Sequence, residues 1–358
     1  MRLIRRLWAV SFLSLLVGCA PVAAGGIVAA PATAPSIVSE APPLLAVEVL
    51  RDVAIQHKAG SLLADIVFPV SGGPYPVVVF SHGSGGTPNL YRELTSHWAA
   101  AGFVVIAPTH ADSRRVLRGQ GLERQDLARA LLSSANDPSA WDRRVSDISA
   151  IIDAVPRLAT FDARLAGRAD PERVGVGGHS FGAFTSMLVA CARPRLPSGE
   201  AVSLRDPRPD AFLLLSAQGV GQQGLEAESW SSCDRPMMVV TGTEDRGRSL
   251  GERPAQTWRE KLEPFRLSPA GGKVAWVLQG AAHSSFVASD RSAAGALGPA
   301  AARDAVDPAL QVRLFAALAA QTTLWWRAQL KSDAAAGDAV ASGAVAQESG
   351  VTALYQTR

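Results

Sequence analysis

A serine set between two glycines is the strongest chemical signal in this chain. The pentapeptide Gly178-His179-Ser180-Phe181-Gly182 follows an apolar run, 173–177, that predicts a buried strand, and precedes a run, 183–190, that predicts a helix. The glycines fit a sharp turn, because a Cβ at either position would collide with the neighbouring strand or helix. Such a turn lifts the serine hydroxyl clear of the sheet at a helix N-terminus, where free N–H groups favour developing negative charge. The pattern predicts Ser180 as a catalytic nucleophile.

The same pattern occurs a second time, at Gly247-Arg248-Ser249-Leu250-Gly251. This stretch is polar, has no apolar strand directly before it, and leads into Pro254. We interpret it as a loop, which leaves Ser180 as the predicted nucleophile.

A nucleophilic serine needs a base, and the base needs an acid that orients it. Of the six histidines only His283 follows the serine, and it comes directly after 274–278, a predicted strand. Another predicted strand, 237–241, leads to Glu244 and Asp245. We predict His283 as the base and Asp245 as the acid, with Glu244 as the alternative acid.

A glycine-rich loop follows a further apolar strand, 77–80. Its sequence is Ser81-His82-Gly83-Ser84-Gly85-Gly86. Glycine lets a backbone approach a ligand closely, so the loop could present N–H groups to a substrate. The alternative is an ordinary glycine-rich turn, and the presence of the serine turn favours the functional interpretation.

These features together resemble the α/β-hydrolases, in which a strand–G-x-S-x-G–helix unit precedes the acid and then the histidine. In particular, the HGxGG block at 82–86 and the GHSFGA block at 178–183 resemble the dienelactone-hydrolase-like branch, notably bacterial proteins similar to platelet-activating-factor acetylhydrolase. Polyester hydrolases and cutinase-like esterases are more distant. The resemblance covers about residues 47–331 and implies oxyanion donors on the backbone of Ser84 and Phe181. It does not identify the substrate, because one fold hosts many chemistries.

Strands alternate with helices along the chain, which predicts an α/β-hydrolase fold with a mostly parallel central sheet and helices on both faces. The long Arg-rich stretch 109–140 shows no strand signal, and we interpret it as a partly helical cover over the substrate cleft or, alternatively, a surface excursion. The catalytic domain is predicted to span 47–331, and the Ala/Gly/Ser-rich residues 332–358 to form a disordered tail.

The N-terminus has the pattern of an export signal over residues 1–18. Basic residues precede an apolar stretch, 7–17, that is too short to span a bilayer. Leu16-Val17-Gly18-Cys19 resembles the lipobox of bacterial lipoproteins, which implies an acylated Cys19 and, since no Asp follows it, the outer membrane. The alternative is a secreted protein cut near Ala23 or Ala24. Residues 19–46, rich in Pro and Ala, are predicted to be a tether.

Charge and cysteine content limit the partners. Three of the 35 Lys and Arg residues lie within the first eighteen positions, and the rest of the chain has as many basic as acidic residues, so nothing favours nucleic acid as a partner.

Cys191 and Cys233 are predicted at the same edge of the sheet, either bonded in an oxidising compartment or as two separate thiols. No Cys/His spacing predicts a metal site.

The predicted activity is hydrolysis of a small-molecule or lipid-like carboxylic ester through an acyl-Ser180, with no cofactor. An acyltransferase or cofactor-free perhydrolase with the same residues is one alternative. A lipid-anchored binding domain without activity is another. The ester and the oligomeric state stay open.

Overall fold

The computed structural model describes residues 44–57, 60–246, 257–290, 306–345 and 349–358. The strands in these ranges form one sheet: β1 (Val47–His57), β2 (Gly60–Pro69), β3 (Tyr75–Ser81), β4 (Val104–Thr109), β5 (Ala169–His179), β6 (Ala211–Leu215), β7 (Met237–Glu244), β8 (Lys273–Ala282) and β9 (Ala353–Thr357). Their order is β1-β2-β4-β3-β5-β6-β7-β8-β9. From β4 to β8 all neighbours are parallel, whereas β1, β2 and β9 pair antiparallel with their neighbours.

Helices cover both faces of this sheet. They are α1 (Arg92–Ala100), α2 (Arg114–Gly119), α3 (Arg124–Ala135), α4 (Pro138–Ala154), α5 (Phe181–Ala190), α6 (Glu263–Leu267), α7 (Pro308–Leu330) and α8 (Ala334–Ser342). Successive residues of a strand point to opposite faces, so Val77 and Val79 of β3 pack in a core with α4 and α5, while Val78 and Phe80 pack with α1 and α7. Two buried faces explain the continuous apolar runs of the strands. The predicted α/β-hydrolase fold is confirmed.

The predicted disordered tail is wrong. Residues 334–342 form α8, and β9 pairs with β8 through register partners such as Trp276 and Tyr355. The described residues also fall within one compact unit, Pro35–Arg358, so the domain does not end at 331. Without β9 the outer side of β8 would expose unpaired N–H and C=O groups. The many small residues of the tail gave no sign of a buried face, although Val340 and Val351 are buried.

The structure joins Cys191 and Cys233 by a disulfide. Cys191 follows the last residue of α5, and Cys233 lies just before β7. The bond selects one of the two alternatives that the sequence left open, and it ties the helix after the serine to the strand that leads to Asp245.

Several sequence predictions fall outside the described residues. These are the signal segment 1–18, Cys19, the tether as far as residue 43, and the second serine pattern around Ser249. Within the described part of the chain, no helix has the length and apolar character needed to cross a bilayer.

Candidate active site

Ser180 lies on a sharp turn between β5 and α5. Its backbone has φ 56° and ψ −119°, a conformation that non-glycine residues rarely adopt. Its N–H donates to the carbonyl oxygen of Leu215 at the end of β6 (2.9 Å). A Cβ on Gly182 would overlap the carbonyl oxygen of Ser81, and a Cβ on Gly178 would lie 2.8 Å from the same atom. The glycines therefore let α5 start directly against the end of β3.

The structure brings the three predicted triad residues together. Nε2 of His283 lies 3.1 Å from Oγ of Ser180, and Nδ1 of His283 lies 3.0 Å from Oδ1 of Asp245. Because a carboxylate can only accept, Nδ1 carries the proton and Nε2 is free to accept one from the serine. The alternative acid, Glu244, points to the surface, where its side chain is 55% exposed and lies 3.5 Å from Arg246.

Asp245 occupies a fully buried and well-bonded position. Its Oδ2 accepts a hydrogen bond from Thr241 Oγ1 (2.9 Å), and its Oδ1 accepts one from Ser216 Oγ (3.0 Å). Burial by itself would raise the pKa of Asp245, but the Lys261 ammonium 3.5 Å away and the hydrogen bonds from His283 and Ser216 outweigh it. The pKa of Asp245 lies well below its ordinary value, so the carboxylate stays ionised at neutral and mildly acidic pH.

Sequence reasoning missed Ser216 and Lys261. Ser216 directly follows β6, and its position at a strand end beside the serine turn was a usable signal. Lys261 lies in a short 3-10 segment, Glu260–Leu262, and no pattern around it indicates a contact with Asp245.

The glycine-rich loop after β3 packs against the serine turn. Gly86 N–H donates to Gly83 O (2.8 Å), which closes a tight turn around Ser84. A Cβ on Gly83 would lie 3.3 Å from Cβ of Ser180, so the loop backbone passes directly beside Ser180. Phe181 starts α5, and first-turn N–H groups have no partner inside a helix. This approach supports Ser84 and Phe181 as oxyanion donors, a role that stays a prediction.

A chain of hydrogen bonds between uncharged groups links the glycine-rich loop, the serine turn and His283. Gly83 N–H donates to Tyr91 Oη (3.2 Å), Tyr91 O–H donates to Nδ1 of His179 (2.8 Å), and Nε2–H of His179 donates to the carbonyl oxygen of His283 (3.0 Å). Burial, and after it the nearby His283, hold the pKa of His179 well below its ordinary value. His179 is therefore neutral and able to accept from Tyr91 while it donates to His283.

A second serine–histidine–aspartate arrangement lies beneath the loop. Ser81 Oγ is 2.9 Å from Nε2 of His110, and Nδ1 of His110 is 2.7 Å from Oδ2 of Asp147. Ser81 and His110 are fully buried, so no substrate reaches this serine and the arrangement is structural. No group of three or more His, Cys, Asp or Glu among the described residues is placed to hold a metal ion.

Arg144 joins this buried network, through Ser81, to the glycine-rich loop and to the first residue of α5. Its Nη1 donates to the carbonyl oxygen of His82 (2.9 Å), and its guanidinium lies 4.3 Å from the centre of the Phe181 ring. Its Nε and Nη2 each donate to Asp112 at 2.9 Å. Burial would raise the pKa of Asp112, but the Arg144 guanidinium lowers it to about 2. This ion pair holds the loop against α4 and the first residue of α5.

Replacing Arg144 with methionine should destabilise the protein by about 3–5 kcal/mol, because Asp112 would be left as a buried, unpaired charge. Urea unfolding measures the loss. Arg143→Met is the matched control, since its ion pair with Asp137 is half-exposed, and it should change stability by less than about 1 kcal/mol. Removing both charges in Arg144→Met/Asp112→Leu should recover much of the loss. Equal effects of the Arg143 and Arg144 variants would contradict this account.

The stretch 109–140, predicted as a partly helical cover, contains α2 and α3 and contacts the glycine-rich loop. Arg114 N–H donates to the carbonyl oxygen of Gly85 (3.2 Å). A cavity of about 200 Å³ lies against α2, α3 and α4, with Leu117 and Ser134 among its lining residues. The stretch is therefore in place beside the loop, and its action as a lid stays a prediction.

Comparison with known proteins adds one finding. The model of the chlorophyllase family matches residues 43–126, and no curated protein matches the chain. The matched region runs from β1 to the start of α3, so it includes the glycine-rich loop and ends before Ser180. The match suggests an ester hydrolase of the α/β-hydrolase type. By its fold the chain is an α/β-hydrolase, and over residues 43–126 it is similar to the chlorophyllases, a family of that superfamily.

Proposed function

We propose that this protein hydrolyses carboxylic esters through a covalent acyl-Ser180 intermediate. The observation that carries the proposal is the continuous contact from Ser180 Oγ through His283 to a fully buried Asp245, at 3.1 and 3.0 Å. The His283 side chain is 29% exposed, so the base is open to substrate and water. The chlorophyllase match, whose family name denotes an esterase, supports the same reaction class.

The mechanism follows from these positions. His283 Nε2 removes the hydroxyl proton as Ser180 Oγ attacks the ester carbonyl, and Asp245 stabilises the imidazolium that forms. The N–H groups of Ser84 and Phe181 bind the oxyanion of the tetrahedral intermediate. His283 then protonates the leaving alcohol. A water molecule, deprotonated by His283, attacks the acyl-enzyme and releases the carboxylic acid and free Ser180.

The substrate class is a small or lipid-like ester. The two resemblances supply two members of this class to test: a short-chain phospholipid, from the likeness to acetylhydrolase-like proteins, and the ester of a large hydrophobic molecule such as chlorophyll, from the chlorophyllase match. The decisive experiment measures hydrolysis of p-nitrophenyl esters of rising chain length beside a short-chain oxidised phospholipid, a soluble polyester and chlorophyll. Ser180→Ala is the control for each substrate.

Product analysis in this assay, together with fluorophosphonate labelling, separates the hydrolase from the alternative functions. Transfer of the acyl group to an added alcohol or to hydrogen peroxide in preference to water would indicate an acyltransferase or perhydrolase. No labelling of Ser180 by a fluorophosphonate, together with no turnover of any ester, would indicate a binding domain without activity and would reject the proposal.

We further propose an exported lipoprotein, anchored to the outer membrane through Cys19. The support is the lipobox-like Leu16-Val17-Gly18 before this cysteine, and the Pro/Ala-rich stretch that separates it from β1. Several acyl chains together make a stable anchor. Intact-mass analysis of membrane-extracted protein should show an acylated N-terminal Cys19, and Cys19→Ser should remove the lipid. An unmodified N-terminus at Ala24 or Gly25 would instead show a secreted enzyme.

A further inference from the structure

A buried lysine lies behind the acid of the Ser180–His283–Asp245 chain. The side chain of Lys261 is 3% exposed. Its Nζ donates a hydrogen bond to Ser216 Oγ (2.9 Å) and lies 3.5 Å from Oδ1 of Asp245. The triad chemistry does not require this cation, and a buried ammonium is costly unless a partner compensates it.

Ser216 connects the lysine to both the acid and the base. Its hydroxyl has one proton, which it donates to Asp245 Oδ1 (3.0 Å) while it accepts from Lys261. Ser216 Oγ also lies 2.8 Å from Nδ1 of His283. Its backbone has φ 56°, a conformation that costs energy for a non-glycine residue and is typical of functional sites. Two hydrogen-bond donors, the imidazole N–H and the serine O–H, and one cation, the ammonium, thus converge on one carboxylate oxygen.

We propose that Lys261 is a positioning residue of this site, which acts with Ser216 to keep Asp245 ionised and aligned with His283. The inference rests on the proposed function, because it concerns the same three residues. It assigns a role to a residue that the triad mechanism leaves unused.

The physical argument is electrostatic. A buried carboxylate favours the protonated form of a neighbouring histidine, and a cation a few ångströms away opposes that effect. Water is excluded around Asp245 and Lys261, so their charges are weakly screened. Removing the ammonium should strengthen the attraction between Asp245 and an imidazolium. The acid limb of the activity profile should then lie at a higher pH.

Other groups around this pair have their own partners. His179, whose ring centre is 4.7 Å from that of His283, is neutral and donates to the His283 carbonyl oxygen. On the segment of Lys261 itself, Glu260 accepts from Thr257 N–H (2.8 Å) and Glu263 accepts from Val220 N–H (2.5 Å). From α7 the neutral Gln311 amide donates to the Ser285 carbonyl oxygen, and from β7 Thr241 donates to Asp245. Among the residues that the structure describes, Lys261 is therefore the charged side chain that contacts Asp245 from outside the triad.

The test is the pH dependence of kcat/KM on p-nitrophenyl acetate, measured beside the rate of Ser180 labelling by a fluorophosphonate. Lys261→Met should move the acid limb of both profiles upward by about one pH unit or more. A shift of this size is expected when a buried charge a few ångströms from the carboxylate is lost. Lys261→Arg keeps the charge and should return the limb toward the wild-type position. Ser216→Ala, which keeps the lysine and removes the bridging hydroxyl, should give a smaller upward shift.

Lys273→Met is the matched control. Lys273 is equally buried, but it starts β8 at the end opposite His283, and its Nζ donates to the carbonyl oxygen of Gly271 (2.8 Å). This variant should leave the acid limb in place even if its melting temperature falls, so a general loss of packing cannot imitate the expected result.

Two outcomes would overturn the inference: an unchanged acid limb in Lys261→Met, or an equal shift in Lys273→Met. If Lys261→Met does not fold, an unchanged acid limb in both Ser216→Ala and Lys261→Gln overturns the inference instead.

Ser180 labelling separates failure of the Lys261 inference from failure of the proposed function. If wild type and the Lys261→Met variant are both labelled and their acid limbs coincide, the role of Lys261 is rejected and the proposed function stands. If the wild-type protein is neither labelled nor active, both the proposed function and the role of Lys261 are rejected.

Discussion

Ser180→Ala should abolish ester hydrolysis while leaving the protein folded. Loss of a triad serine lowers turnover by about 10⁴–10⁶. The alanine removes one hydroxyl from a backbone whose conformation is fixed by the Ser180 N–H bond to Leu215 and by the close contact at Gly182. Hydrolysis of p-nitrophenyl acetate measures the activity, and circular dichroism melting measures the fold.

Two further variants test the same assignment. His283→Ala should match Ser180→Ala, and the double variant should be no worse than either, because the two residues act as a unit. Ser249→Ala, in the second serine pattern, is the matched control and should retain nearly wild-type activity. Retained activity in Ser180→Ala together with a loss in Ser249→Ala would assign the nucleophile to Ser249 instead.

Asp245→Asn should also be severe, with a loss of about 10⁴ in kcat. An asparagine can donate its amide N–H to Nδ1 of His283, which would hold the imidazole in the tautomer whose Nε2 carries a proton. That nitrogen lies 3.1 Å from Ser180 Oγ and could then no longer accept the serine proton. Steady-state kinetics on p-nitrophenyl acetate gives the loss in kcat.

Glu244→Gln is the control for this position. Glu244 is the neighbouring acid, its side chain is more than half exposed, and it pairs with Arg246 rather than with the histidine. We expect at most a several-fold change in activity. A severe Glu244→Gln beside a mild Asp245→Asn would assign the acid to Glu244.

The parts of the site that the sequence predicted are those with short-range signals. The serine turn is specified by five consecutive residues between a strand and a helix, and His283 is the one histidine after it. Parallel strands end at the same edge of a sheet, so residues that directly follow β5, β7 and β8 had to lie near one another. For this reason Ser180, Asp245 and His283 could be predicted without a structure, as could the α/β fold.

Contacts between distant segments could not be predicted in this way. Lys261 reaches Ser216 across 45 positions, and Arg144 reaches His82 across 62, and no local pattern around Lys261 or Arg144 indicates these contacts. The disorder predicted for the tail is wrong for a related reason: the composition of the tail favours disorder, and only the open edge of β8 makes residues 353–357 a strand. The sequence does not decide whether Cys191 and Cys233 are bonded, because proximity at the edge of a sheet does not establish a bond.

The sequence alone therefore determined the serine turn, the chain order of the three proposed catalytic residues and the class of fold, since each depends on local backbone preference and hydrophobic periodicity. Only the tertiary structure decided which groups surround the reacting ones: the lysine and serine behind Asp245, the histidine–tyrosine chain beside the loop, and the arginine beneath it. The physical reason is that burial and hydrogen bonding between remote segments depend on how the helices and loops pack on the sheet, which no short pattern encodes.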